Sequence, residues 1–130
     1  MGEPRRLDRR ALLYLHGESL RQFGGADGLR DEGLLDSTLA RPRSRFADEG
    51  DVDLCNLAAA YAHGLVRNHP FVDGNRRAAL AASGVFLMAN GVDLTAPPAL
   101  VTVAVLDLAA DDMSAAAFAN WLRAHTKTRT

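Results

Sequence analysis

Residues Asn75 to Asn90 open with Arg76-Arg77 and then run apolar on nearly every side, through Ala78, Ala79, Leu80, Ala81, Ala82, Val85, Phe86, Leu87 and Met88. A helix of that kind has no polar face to turn to water, so it belongs at the buried centre of a domain. Its longest apolar stretch, Ala78 to Ala89, is too short to cross a bilayer, since a spanning helix needs about 20 residues. Gly91 is a natural stop for it. The rest of the chain has to supply a shell around this segment.

That shell reads as further helices separated by Gly, Pro and Asp. Asp8 is placed to cap a helix over Arg9 to Phe23, which Gly24-Gly25 ends. Asp31 is placed to cap a shorter one to about Ala40, with Pro42 barring continuation and residues 41–52 left as an exposed connection. Asp53 caps a third, whose Leu54, Leu57, Ala58, Tyr61, Ala62 and Leu65 form an amphipathic stripe that Pro70 closes. Pro97-Pro98 opens a helix to about Ala110, and Ser114 caps a last one carrying Phe118, Trp121 and Leu122. The only strand candidate is the short run Gly91 to Thr95. The expectation is all-α: a single domain over 1–130, of about six helices around one central buried helix.

Composition narrows the function classes. A chain of 130 residues with 48% hydrophobic and 24% charged residues can bury a core without staples. One cysteine, Cys55, excludes an intramolecular disulfide and a four-cysteine zinc site, and reads as a small core residue. The net charge of -1 gives no support to nucleic-acid coating or membrane steering. The basic start, MGEPRRLDRR, lacks the apolar run of a signal peptide, which leads to an expectation of a cytoplasmic protein. Lys127 is the only Lys beside many Arg, so an Arg at any one position carries less meaning than usual.

The chemistry concentrates in His69-Pro70-Phe71-Val72-Asp73-Gly74-Asn75-Arg76-Arg77, between the amphipathic helix and the buried one. A helix start exposes about four unpaired N–H groups and a positive dipole end. Gly74 allows close backbone approach, and Arg76 and Arg77 add charge, which together make an anion site suited to phosphate. Asp73 at its mouth is the carboxylate a phosphate-bound Mg²⁺ takes. His69 has the titration range of a general base, and Phe71 is an apolar anchor for the loop. Each element also has a structural reading: Asp73-Gly74-Asn75 is a turn-and-cap signature, and a lone His beside Pro is commonly exposed. Two Arg in a first turn oppose the dipole, which favours an anionic partner.

The stretch HPFVDGNRR resembles the signature of the Fic/Doc family: His, variable, Phe, variable, acidic, small, Asn, variable, Arg. The segment LHGESLRQFGGADGLRD is similar to the first helix and glycine turn of the Doc branch, the death-on-curing toxins, and the resemblance covers roughly residues 7–126. It implies a compact all-α Fic fold that transfers part of a nucleoside triphosphate to a protein hydroxyl. It implies His69 as general base, Asp73 as the Mg²⁺ ligand, and Gly74, Asn75, Arg76 and Arg77 as the ATP phosphate site. In the variable position Fic AMP-transferases typically carry a small glycine, whereas Doc proteins carry a long cation, commonly Lys. Arg76 follows the Doc pattern, while Gly74 is the Fic-like choice. A bulky cation at 76 implies an inverted nucleotide that presents its γ-phosphate, hence a kinase. The Doc branch further implies elongation factor Tu as target through a Thr, arrest of translation, and a Phd-type antitoxin as partner. No membrane or direct nucleic-acid partner is implied. No built-in inhibitory segment is visible, and SRFADEG at Ser44 to Gly50 has the wrong spacing for one.

Other residues read as structural. Arg67 reads as a solvated helix-end Arg ahead of a further phosphate or target contact, His63 sits off the apolar stripe, His16 and Glu18 read as a solvated face ahead of a lining of the site, and Trp121 and Phe118 read as core ahead of a stacking platform. Arg41, Arg43, Arg45 and Phe46 are placed on the exposed connection as a docking surface for a protein target. The alternatives are an AMP-transferase, an inactive binding module, and a metal-dependent hydrolase, which a single clustered carboxylate supports poorly.

Overall fold

The computed structural model describes residues 3–49 and 53–129. In chain order it forms α1 (Arg9–Phe23), α2 (Glu32–Glu49), α3 (Leu54–Asn68), α4 (Asn75–Ala89), β1 (Val92–Leu94), α5 (Pro98–Ala109), α6 (Ala115–Ala124) and β2 (Thr126–Thr128). The expected caps are in place. Asp8 accepts from Ala11 N at 2.8 Å, Asp31 from Leu34 N at 2.9 Å, Asp53 from Asn56 N at 2.8 Å and Ser114 from Ala117 N at 3.0 Å. Each such cap is worth about 1 kcal/mol.

The all-α bundle has its buried centre, but the helix enclosed on most sides is α3 rather than α4. It packs against α2, α4, α5 and α6, and buries Leu57 to Ala62 without a break. A run of Ala at 58–60 and 62 supplies little side chain, so four neighbours reach its backbone closely. The helix α4 lies beside it with Met88 half exposed.

One boundary is corrected. The helix α2 does not stop near Ala40; it runs through Pro42 to Glu49. A proline inside a helix costs about 3 kcal/mol through a lost N–H and a clash with the preceding turn. Burial offsets that cost. Leu35, Thr38 and Pro42 are buried and Phe46 packs on the core, four positions along one face against α3. At the crossing, a Cβ on Gly64 would stand 2.9 Å from Thr38 Cγ2, so the glycine sets the interhelix distance. The docking connection expected at 41–52 is therefore helical as far as Glu49, and residues 50–52 lie outside the described ones. Its Arg41 faces His63 at 3.1 Å and its Arg45 pairs with Glu49 at 3.4 Å.

The strand candidate forms, but with a partner the alternation rule does not see. Val92, Asp93 and Leu94 pair antiparallel with Thr128, Lys127 and Thr126. Among the described residues, no helix is long and apolar enough to cross a membrane.

Candidate active site

The site is the turn from α3 to α4. The helix α3 ends on His69 in the left-handed region, φ 49° and ψ 57°, with its N–H on Leu65 O at 3.2 Å. A β-carbon makes that conformation cost about 1–2 kcal/mol. The segment joining α1 to α2 holds it in place. Arg30 donates from Nε to His69 O and from Nη2 to Asn68 O, both at 2.7 Å, a cation on the negative end of α3. The backbone N–H groups of Arg30 and Asp31 both reach Pro70 O, at 2.7 and 3.1 Å, and Val72 N reaches Gly28 O at 3.0 Å. The sequence offered no motif for Arg30, because its partners are backbone carbonyls.

Inside the turn, Phe71 is buried as the anchor. Asn75, also buried, accepts from Phe71 N at 3.1 Å and donates to Phe71 O at 3.0 Å. These two bonds fix which end of the amide is nitrogen. That nitrogen also lies 3.3 Å from His69 Nδ1, which orients the exposed ring. Nε2 has no protein partner among the described residues. Both donor hydrogens of Asn75 are thus engaged within the turn.

The expectation of a solvated His16 is overturned. His16 is buried, and its ring stacks on Phe71 with centroids 3.7 Å apart and planes 5° from parallel. Its Nε2 donates to Asp73 O at 2.7 Å. The 3.6-residue pattern of α1 hid this, because the turn that covers His16 comes from a distant stretch of chain. Glu18 does face solvent, paired with Arg21 at 3.1 Å.

Asp73 is exposed, yet both its oxygens are held. Oδ2 accepts from Ala26 N at 3.2 Å and Oδ1 from Gly74 N at 2.8 Å. These N–H groups, with smaller help from Arg77 and His16, hold its carboxyl below the usual carboxylate range. Gly25 makes the first contact possible: at φ +123°, a Cβ there would stand 2.8 Å from Asp73 Oδ2 and 3.0 Å from Arg77 Nη2.

A cavity of about 400 Å³ opens in front of this turn. His69, Asp73, Gly74, Asn75, Arg76 and Arg77 line one side, and Leu80 with Thr102, Val105 and Leu106 of α5 line the other. The helix α4 has no side-chain cap and no acid in its first turn, so its leading N–H groups point out unpaired. Arg76 is exposed, while the Arg77 guanidinium lies 5.7 Å from the Phe23 ring centre. The turn therefore brings together an imidazole, an ionised carboxylate and an anion-binding helix start. Arg67, bonded to Asp111, and His63 stay outside the cavity. Among the described residues there is no group of three or more metal-ligating side chains. One ionised carboxylate beside an anion site fits a divalent cation held jointly with phosphates, the usual mode for Mg²⁺.

The profile of the Fic/DOC family matches residues 6–87, from before α1 almost to the end of α4. The chain belongs to the Fic/Doc family. It is 33% identical to protein kinase doc of Escherichia phage P1 over 112 residues, 86% of this chain and 88% of that protein. It is 47% identical to toxin Doc of Mycolicibacterium smegmatis over 75 residues, 57% of this chain and 58% of that one. The Fic/Doc match takes in both halves of the site: the turn between α3 and α4, and the segment after α1 that clamps it.

Proposed function

We propose that this chain is the toxin of a Doc-type toxin–antitoxin module, a cytoplasmic phosphotransferase that moves the γ-phosphate of ATP to a hydroxyl of a translation protein, a Thr of elongation factor Tu. The observation that carries the reading is the meeting of an ionised Asp73, an uncapped helix start with Arg76 and Arg77, and an oriented His69 in one cavity. The names of the two relatives, a protein kinase and a toxin, give it its direction.

In this reading the phosphates lie over Gly74 to Arg77, where the unpaired N–H groups, the two guanidinium groups and the dipole oppose the charge on the transferring oxygens. Asp73 holds Mg²⁺, which when bound neutralises phosphate charge. The Ala26 and Gly74 N–H groups keep the Asp73 carboxylate aimed and ionised. His69 takes the proton of the target hydroxyl. The Asn75 amide nitrogen lies 3.3 Å from His69 Nδ1. The 3.3 Å contact is longer than usual for such a bond, so it orients the ring without locking the tautomer. Arg76, exposed in the cavity, blocks the pose that presents the α-phosphate. Gly74 in the small position favours the second reading, transfer of AMP. Silencing comes from a separate Phd-type antitoxin.

The test incubates the protein and its His69→Ala variant with elongation factor Tu, Mg²⁺ and ATP labelled at the α or the γ position. Label from γ-ATP alone, reduced ~10²–10⁴-fold in the variant, is the expected result. Label from α-ATP makes it an AMP-transferase. No label on this target or in whole lysate removes the transferase reading.

A further inference from the structure

The peptide group between Asp73 and Gly74 is gripped at both ends. Its N–H donates to the Asp73 carboxylate at 2.8 Å, and its C=O accepts from His16 Nε2 at 2.7 Å. A peptide group is planar and rigid, so fixing the carbonyl direction fixes the opposite direction of the N–H. Turning this plane would break both bonds at once and release the carboxylate from one of its two backbone donors. Gly74, left-handed at φ +79°, has no β-carbon to resist that turn. The restraint has to come from outside the turn, and His16 is the side chain that supplies it. It is 3% exposed, flat against Phe71, and a Cβ on Gly74 would lie 3.5 Å from its Nε2.

We infer that His16 is a positioning residue for this site: from α1 it locks the Asp73–Gly74 peptide and thereby aims the Asp73 carboxylate at the phosphate-bound cation and the start of α4 at the phosphates. The part concerning the cation rests on the phosphotransfer reading; the part concerning the peptide does not. His16 makes two separable contacts, a flat ring on Phe71 and one N–H on Asp73 O. The packing contact holds the loop to the core, and the N–H sets the direction of the carboxylate.

Two variants of the full chain separate them. His16→Phe keeps a flat ring against Phe71 and loses the donor. His16→Gln loses the ring but places an amide N–H as many bonds from the backbone as Nε2. Amide exchange of Ala26 and Gly74, read by NMR on the protein alone, reports the grip on the carboxylate. The Mg²⁺ concentration that half-saturates ATP binding reports its consequence. In His16→Phe, exchange at both amides rises about 5-fold or more, the size of one lost hydrogen bond, and the Mg²⁺ requirement rises with it, while the melting temperature moves little. In His16→Gln, the melting temperature falls, yet exchange and Mg²⁺ requirement stay close to those of the unaltered protein. The reverse pattern, with Phe harmless and Gln harmful at the amides, overturns the inference and leaves His16 as packing. If the unaltered protein binds no Mg²⁺–ATP, the phosphotransfer reading falls, and the exchange rates still decide whether His16 holds the peptide.

Discussion

Asn75 pairs with Phe71 through both backbone groups of the phenylalanine, accepting its N–H at 3.1 Å and donating to its carbonyl at 3.0 Å. A side-chain amide thus does what a neighbouring strand would do, four residues along the same chain. It closes the turn that carries the site.

Asn75→Ala should therefore be costly although it removes little apolar volume. It strands one donor and one acceptor on a residue that is 1% exposed, at about 1–3 kcal/mol for each unpaired group. A total loss of about 2–6 kcal/mol in urea unfolding is expected. A variant within experimental error of the parent would show that water or another group replaces the bracket.

Gly24 and Gly25 offer a controlled comparison. Both have positive φ, but a Cβ at Gly24 meets nothing within 4 Å, whereas one at Gly25 meets Asp73, Leu20 and Arg77 at 2.8 to 3.0 Å. Gly24→Ala should cost about 1–3 kcal/mol from the backbone alone, since φ +82° with ψ −178° is a conformation only glycine adopts readily. Gly25→Ala should cost more, and it alone should raise the Mg²⁺ requirement of ATP binding, because it pushes on the Asp73 carboxylate. Equal effects on both readouts would mean that the loop moves aside without disturbing the site.

The α2–α3 crossing predicts a rescue. Gly64→Ala drives a methyl against Thr38 Cγ2 at 2.9 Å and should cost about 1–3 kcal/mol as overpacking. Thr38→Ser removes that methyl and keeps the hydroxyl that bonds Leu34 O and Asn68 Nδ2. The double variant should recover about 1 kcal/mol over additivity. Strict additivity in denaturant unfolding would place the strain elsewhere.

Acid should loosen the junction of α3 with α6. Arg123 bonds both oxygens of Asp53, at 2.6 and 3.2 Å, and together with the Asn56 N–H it holds that carboxyl below its usual value against the opposing effect of burial. A depressed folded value means the stabilisation is complete above the ordinary aspartate range and is lost as pH falls through the depressed value. Both side chains are more than a third exposed, so solvent screening limits the effect to about 1 kcal/mol or less. Asp53→Asn should flatten that part of the stability profile between neutral and acid pH; an unchanged slope would assign it to other carboxylates, Asp73 among them.

Arg76→Gly tests the choice of phosphate. Arg76 is exposed and lines the cavity, so its removal should leave the melting temperature nearly unchanged. The ratio of γ to α label should shift toward α. A ratio that does not move would take the choice of pose away from this side chain.

What a residue does within its own helix or turn was legible from neighbours in sequence. Asp8, Asp31, Asp53 and Ser114 cap where their spacing says, and Phe71 anchors where an isolated phenylalanine in a polar turn has to. Seven of the nine residues from His69 to Arg77 line one cavity because consecutive residues at a helix start cannot be far apart. Three things depended on the tertiary structure. The extension of α2 through Pro42 needed a partner face on α3 to offset the break, and helix propensity carries no term for that. The strand Thr126–Thr128 has no pattern of its own and forms because Val92–Leu94 lies beside it. The inward roles of His16 and Arg30 are set by backbone carbonyls, and that of Gly25 by the Asp73 side chain, some 40 to 60 residues away. A hydrogen bond to a distant carbonyl leaves no periodicity at either end, so only the packing of the segments could bring those partners together.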